Sequence, residues 1–252
     1  MSYPNNQERT RSYLENFNRE EVLKLLINSK KPIILDVGAN NGSSLIEFKN
    51  LWPESIVHCF EPQSICWKVL EEKAKKYSID SVFINKFALG NKVLKKKEFY
   101  SHDISTGISG FHKINLNSKD SINIKNIKKN EKSLEEYKNT INHTNLVELK
   151  RLDDYIIENN LKKIDLLKMD TQGYEPQILE GLSNQLSKIN LIITEIMFYD
   201  FYEKNISFYE IEKHLIPYGF KLYDISHISK NPLNGRTDWV DVIYINEEFN
   251  SI

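Results

Sequence analysis

Ile33-Ile34-Leu35-Asp36-Val37-Gly38-Ala39-Asn40-Asn41-Gly42 reads as a buried strand that runs into a glycine turn. The apolar half suits a strand covered on both faces. The small and polar half gives way to a helical pattern carrying Leu45, Ile46 and Phe48. Strand, tight turn and helix are how an α/β protein brings backbone amides up to a ligand at a helix N-terminus. Gly38 and Gly42 permit positive φ and close approach, which a Cβ resists. Asp36 stands at the strand end, where packing gives no reason for a carboxylate.

Two more strand ends follow. Val57-His58-Cys59-Phe60-Glu61-Pro62 is an apolar run closing on an acid, and Glu61 lies 23 residues after Gly38. That is near the spacing at which an acid on the second strand binds ribose hydroxyls. Val82 to Gly90 reads as a third strand ending in a small-residue turn, with Phe87 and Ala88 placed to flank an adenine. A dinucleotide fingerprint needs a second glycine where Asn40 stands, so that the backbone can approach a pyrophosphate. An amide there obstructs phosphate but can bond to a carboxylate or an amino group. S-adenosylmethionine carries both of those groups and no phosphate.

At these residues the chain resembles the FkbM family of S-adenosylmethionine-dependent methyltransferases. The resemblance rests on Asp36-Val37-Gly38-Ala39-Asn40-Asn41-Gly42, Phe60-Glu61-Pro62 and Ala88-Leu89-Gly90. It continues in Leu152-Asp153-Asp154-Tyr155 and in Asp165 to Glu175, and runs in order from about Ile33 to Asn246. It implies a Rossmann-like class I methyltransferase fold, α/β, with a mostly parallel seven-stranded sheet, helices on both faces and an antiparallel strand near the C-terminus. It implies O-methylation of a sugar in carbohydrate or polysaccharide biosynthesis, with S-adenosylhomocysteine as product. A natural-product or phosphoramidate acceptor is the alternative; a nucleotide-dependent oxidoreductase is disfavoured by Asn40. Asp36, Gly38, Ala39, Asn40, Gly42, Glu61, Pro62, Phe87, Ala88 and Asp170 are the expected cofactor residues.

The 252 residues suit one α/β domain with an elaboration. At 40% hydrophobic and 27% charged, the composition is that of a globular protein. A net charge of −1 argues against a nucleic-acid partner, which needs a basic excess. The apolar runs are strand-sized, so no membrane span is expected. The N-terminal Met1-Ser2-Tyr3-Pro4-Asn5-Asn6 lacks a signal peptide's basic and apolar regions. Cys59 and Cys66 make neither a disulfide framework nor a metal pair, and Cys59 reads as a small buried hydrophobe. A reducing cytoplasm is the expected location. The wealth of Lys, Asn and Ile points, through codon usage, to an AT-rich bacterial genome. Homo-oligomerisation is left open.

Along the chain, residues 1–17 read as a loose polar arm. Asn18 then caps a helix with Glu21 three residues on, and Val22, Leu25 and Leu26 form its apolar stripe. A second crossover helix spans about Gln63 to Tyr77, with Ile65, Val69 and Leu70 inward. Residues 91–150 interrupt the alternation of strand and helix. Glu98-Phe99-Tyr100 and Val147-Glu148-Leu149 read as strands, with an Ile alternation at Ile122 and Ile124 between them. This segment is either a solvated insertion or a substrate lid. Within it, residues 101–145 are expected to shape the acceptor site rather than the cofactor site. Ile164 to Met169 is the fourth core strand, ending at Asp170, and Leu191 to Glu195 the fifth. Phe220 to Tyr223 and Val240 to Ile245 alternate as a closing antiparallel pair.

Ligands in open α/β sheets lie beyond the carboxyl ends of the strands. Asp170 and Glu195 therefore overlook one crevice. An alcohol acceptor must lose a proton, with a pKa of roughly 16 like that of water. Asp170 is the first choice of base, then Glu195 and His227. His102, Ser105, Thr106, Gln172, Tyr199 and Asp238 are the candidate contacts to the acceptor, a sugar or nucleotide-linked sugar. No metal is expected, although Asp170, Glu195 and a histidine would suit a divalent ion. His58, inside a strand, reads as a structural histidine.

Overall fold

The computed structural model describes residues 5–122, 131–232 and 234–248. Residues 1–4, Ile124 of the isoleucine alternation and position 233 in the loop before Asp238 lie outside the described residues.

The N-terminal segment is not a loose arm where it is described. Helix α1 (Asn6–Asn16) opens on a capping box, in which Glu8 N–H donates to Asn5 Oδ1 at 3.0 Å and Asn5 N–H to Glu8 Oε2 at 2.9 Å. Helix α2 (Arg19–Leu26) starts at Asn18, whose Oδ1 accepts from Glu21 N–H at 2.9 Å. Its buried face is Val22, Leu23 and Leu26, whereas Leu25 is 60% exposed. The expected stripe is thus corrected by one position: Val22 and Leu26 belong to either face, and packing against neighbouring elements buries Leu23 rather than Leu25.

Strand β1 (Ile33–Val37), helix α3 (Ser43–Leu51), strand β2 (Ile56–Phe60), helix α4 (Ser64–Ala74) and strand β3 (Val82–Asn85) form the first crossovers. On α4, Cys66 and Leu70 are buried while Ile65 and Val69 face solvent, which corrects the expected face. The glycine turn selects this face, since a Cβ on Gly42 would meet Leu70 Cδ1 at 2.7 Å.

The expected third strand, Val82 to Gly90, splits. Strand β3 ends at Asn85, and Ala88–Gly90 becomes strand β4 of a second sheet with strand β5 (Leu94–Ser101). Short helices α5 (Lys119–Ile122) and α6 (Glu131–Lys138) precede strand β6 (His143–Arg151). This sheet has the order β4-β6-β5, with β4 parallel and β5 antiparallel to β6.

Helix α7 (Leu152–Glu158), strand β7 (Ile164–Met169), helix α8 (Glu175–Leu182) and strand β8 (Ile189–Met197) resume the alternation. Helix α9 (Phe208–Leu215) leads to strands β9 (Phe220–Lys230) and β10 (Thr237–Asn246). The main sheet has seven strands in the order β3-β2-β1-β7-β8-β10-β9, parallel from β3 to β8. Strand β10 lies antiparallel to both β8 and β9. Alternate residues enter opposite cores: Ile34, Leu166 and Leu191 on one face, Leu35, Leu167 and Ile192 on the other. Burial on both faces is why these strands read as unbroken apolar runs.

Ile114, Tyr137 and Ile141 of the insertion bury themselves against Met197, Phe201 and Tyr202 just past β8. Backbone bonds from Asn115 N–H to Phe201 O and from Glu203 N–H to Lys113 O, both 2.9 Å, tie the two segments. Among the described residues, no helix is long and apolar enough to cross a membrane.

Candidate functional site

The turn after β1 is built by close backbone approach. Gly38 takes φ +82°, and a Cβ there would lie 2.0 Å from Asp170 O, so the first and fourth parallel strands meet only through a glycine. Gly38 and Ala39 N–H both donate to Phe60 O at 3.1 Å, joining the turn to β2. Asn40 adopts the left-handed region, φ 48°, which asparagine tolerates better than most residues. Its N–H donates to Glu61 Oε2 at 2.8 Å, while Gln63 N–H donates to Glu61 Oε1 at 2.7 Å. Glu61 is thereby fixed with two of its roughly four acceptor positions still open. Burial raises its pKa, and those two N–H bonds pull it back.

A cavity of about 80 Å³ opens at these strand ends. Gly38, Asn40, Glu61, Pro62, Phe87, Ala88 and Asp170, from the cofactor set read in the sequence, line it together with Thr106 and Gln172 from the acceptor set. Ala39 and Gly42 close the turn behind, with Gly42 N–H bonding Ala39 O at 2.8 Å. Asp36 is fully buried beneath it, 3.5 Å from Lys168 Nζ. Burial raises the Asp36 pKa against the opposing pull of Lys168. Burial by itself would lower the Lys168 pKa, but Asp170 and Asp36 outweigh it and hold the ammonium charged.

Three polar groups converge past β7 and β8. Gln172 Nε2 donates to Asp170 Oδ1 at 2.7 Å and lies 3.5 Å from Glu195 Oε2. Its Oε1 accepts from the Tyr202 hydroxyl at 2.7 Å. Burial, then Asp170, Glu175 and Asp241, push the Glu195 pKa well up. Tyr199 is also raised, by burial first and Glu195 second. Beneath them Glu175, 1% exposed, accepts from Thr171 N–H at 2.7 Å, and burial pushes its pKa up to about 7.

The other candidates stand apart from the cavity wall. Ser105 Oγ accepts from Gly107 N–H at 3.2 Å, a turn cap. His102 is buried, with Nδ1 accepting from Asn142 N–H at 2.9 Å. Asp238 pairs with Arg236 at 2.9 Å. His227 is largely exposed, 3.7 Å from Asp241, itself the register partner of Glu195. His58 bonds the Tyr155 hydroxyl at 2.7 Å, and burial takes its pKa down to about 4, leaving it a neutral structural group. Among the described residues, no three His, Cys, Asp or Glu side chains form a set that could hold a metal ion.

The sequence reading missed Lys168, Glu175, Asp241, Ser109 and Tyr202. Lys168 had a usable signal. A lysine inside Leu166-Leu167-Lys168-Met169, a strand buried throughout, requires a counter-charge from its neighbours. Thr106, Gly107, Ser109 and Phe111 of the insertion stand in the same cavity wall as Gly38 and Glu61.

Residues 36–222 match the family described as the methyltransferase FkbM domain. The 2-O-methyltransferase NoeI of Sinorhizobium fredii is 29% identical over 181 residues, 71% of this chain and 68% of that protein. Methyltransferase 1 of Beauveria bassiana is 27% identical over 158 residues, 60% of this chain and 59% of that one. The solved FkbM methyltransferase of Methylobacillus flagellatus superposes with a TM-score of 0.55 at 14% identity. That alignment covers 93% of this chain but 50% of the other, so this chain spans half the length of that protein.

Proposed function

The chain belongs to the FkbM methyltransferase family, and on that footing we propose that it moves the methyl group of S-adenosylmethionine to a sugar hydroxyl. The observation that carries the donor is the character of the cavity wall. It holds the carboxylates of Glu61 and Asp170, and among its described lining residues no Lys, Arg or His. Such a wall suits a cationic sulfonium and repels a pyrophosphate, which needs cations or a phosphate-friendly glycine turn. A buried oxygen without a partner, Gln63 Oε1, stands in that wall.

S-adenosylmethionine supplies an electrophilic methyl group on a positively charged sulfur. The protein's share is to align the acceptor and take its proton. Glu61 offers its open acceptor positions to the ribose diol, and Pro62 and Phe87 flank the base. Asp170, held by Gln172, receives the acceptor's proton. Glu195 serves as a hydrogen-bonding partner to a neighbouring hydroxyl. The name of the NoeI relative, a 2-O-methyltransferase, supports a hydroxyl acceptor. The acids and the rings of Tyr199 and Trp239 close by are the groups that engage a sugar's hydroxyls and its C–H face.

The test has two stages. S-adenosylhomocysteine at ~100 times its dissociation constant should raise Tm by roughly 5–10 °C. A nicotinamide dinucleotide should not, and the reverse outcome would sink the reading. Asp170→Asn should then cut turnover by about 10²–10⁴-fold in an acceptor screen of sugars and other alcohols. Methylation of amines or carboxylates, with sugars untouched, would overturn the acceptor class.

A further inference from the structure

Residues 106–110 of the insertion form a short bridge between the two halves of the cavity. At one end the Thr106 hydroxyl donates to Asn40 Oδ1 at 2.9 Å, and Gln63 Nε2 donates to Thr106 O at 3.2 Å. In the middle the Tyr202 hydroxyl lies 2.9 Å from Ile108 O. At the other end Gly110 exchanges backbone bonds of 2.8 and 3.0 Å with Tyr100. There a Cβ on Gly110 would sit 3.2 Å from Gln172 Cβ and 3.4 Å from Thr171 O. The bridge thus runs from the turn after β1 to the turn after β7, pinned along its length.

Ser109 is the anomaly on this bridge. It is 7% exposed, its Oγ has no hydrogen-bond partner, and it stands in the cavity wall. A buried hydroxyl left without a partner is destabilising unless a ligand satisfies it. Because Gly110 packs on Thr171 and Gln172, Ser109 belongs to the Asp170 end of the cavity, away from Glu61, Pro62 and Phe87.

On the donor reading above, the Glu61 end takes the nucleoside, so the Asp170 end meets the amino-acid group. Its carboxylate finds no cationic side chain among the described residues of the wall. Neutral donors must recognise it. We propose that the insertion completes the donor's seat, and that Ser109 is a specificity-determining residue for the donor's amino-acid end.

Calorimetry with S-adenosylhomocysteine and with 5′-methylthioadenosine tests this, because the second ligand keeps the nucleoside and lacks the amino-acid group. Ser109→Ala should weaken S-adenosylhomocysteine about tenfold, the loss of one hydrogen bond to a charged group. It should leave methylthioadenosine binding unchanged, which also shows that the variant folds. Equal weakening of both ligands would make Ser109 a support of the turn and overturn the proposal. Unchanged binding of both would turn the hydroxyl over to the acceptor and overturn it too. Wild-type protein that binds neither ligand removes the donor reading itself, an outcome distinct from a wild type that binds both while Ser109→Ala matches it.

Discussion

Glu61 anchors two backbone N–H groups, so it supports the fold as well as any ribose. Glu61→Ala strands the amides of Asn40 and Gln63, at roughly 1–3 kcal/mol for each donor left buried. The ligand-free protein should therefore melt lower, in addition to losing affinity for S-adenosylhomocysteine. An unchanged Tm in a thermal scan would mean that the turn holds itself. Glu175 is a second residue whose environment sets its chemistry. Burial raises its pKa from 4.5 to about 7, so between those values the folded protein holds a proton that the unfolded chain releases. Its contribution is fully present below about pH 4.5 and is lost as pH rises through 7, by at most about 3 kcal/mol. Glu175→Gln keeps an oxygen for Thr171 N–H and removes the titration. Relative to wild type it should gain stability from pH 5 to pH 8 in urea titrations; parallel pH curves would refute the assignment.

Helix α8 shows packing overriding propensity. Gly181 lies inside it, and replacing a helix-interior glycine by alanine ordinarily gains up to about 1 kcal/mol. Here a Cβ would sit 2.1 Å from Gly90 O on β4. Overpacking costs typically about 1–3 kcal/mol, so the steric term wins. Gly181→Ala should lower Tm by several degrees at roughly 2–4 °C per kcal/mol. A raised Tm would show that α8 can withdraw from the small sheet. The same contact explains why Ala88-Leu89-Gly90 leaves the main sheet: the segment is buried under α8.

At the scale of the whole molecule, Arg236 of the C-terminal hairpin pairs with Asp120 of the insertion. Arg236 Nη2 lies 2.8 Å from Asp120 Oδ1 on α5, and Nη1 lies 3.2 Å from Oδ2, while Asp238 holds the same guanidinium. The arginine is about one-third exposed, so the pair contributes no more than ~1 kcal/mol and weakens with salt. The apolar cluster around Ile114, Tyr137 and Tyr202 does most of the holding. Arg236→Ala should speed hydrogen exchange in residues 101–122 and 131–142 while β1, β7 and β8 keep their protection. Equal loosening of both regions would mean that the insertion and the main sheet open as one unit.

The glycine turn, the acids at the strand ends, the parallel core and the closing antiparallel pair were legible because each is local. A doubly buried strand must be continuously apolar, and a turn that admits no Cβ must be glycine. The seven-stranded sheet and the methyltransferase family follow from such signals taken in order. Which helix face turns inward was not legible: Leu25, Ile65 and Val69 are as apolar as Leu23, Cys66 and Leu70, and only the neighbouring elements choose between them. Nor was the place of residues 106–111, whose hydroxyls and glycines read as part of a segment shaping the acceptor site. They enter the cavity because Tyr202, far along the chain, pins Ile108, and because Gly110 seats on Gln172. Lys168 belongs to both sides. Its oddity was visible in the strand, and Asp170 lies only two residues on, but its partner Asp36 is set by parallel register, which exists only once the sheet is assembled.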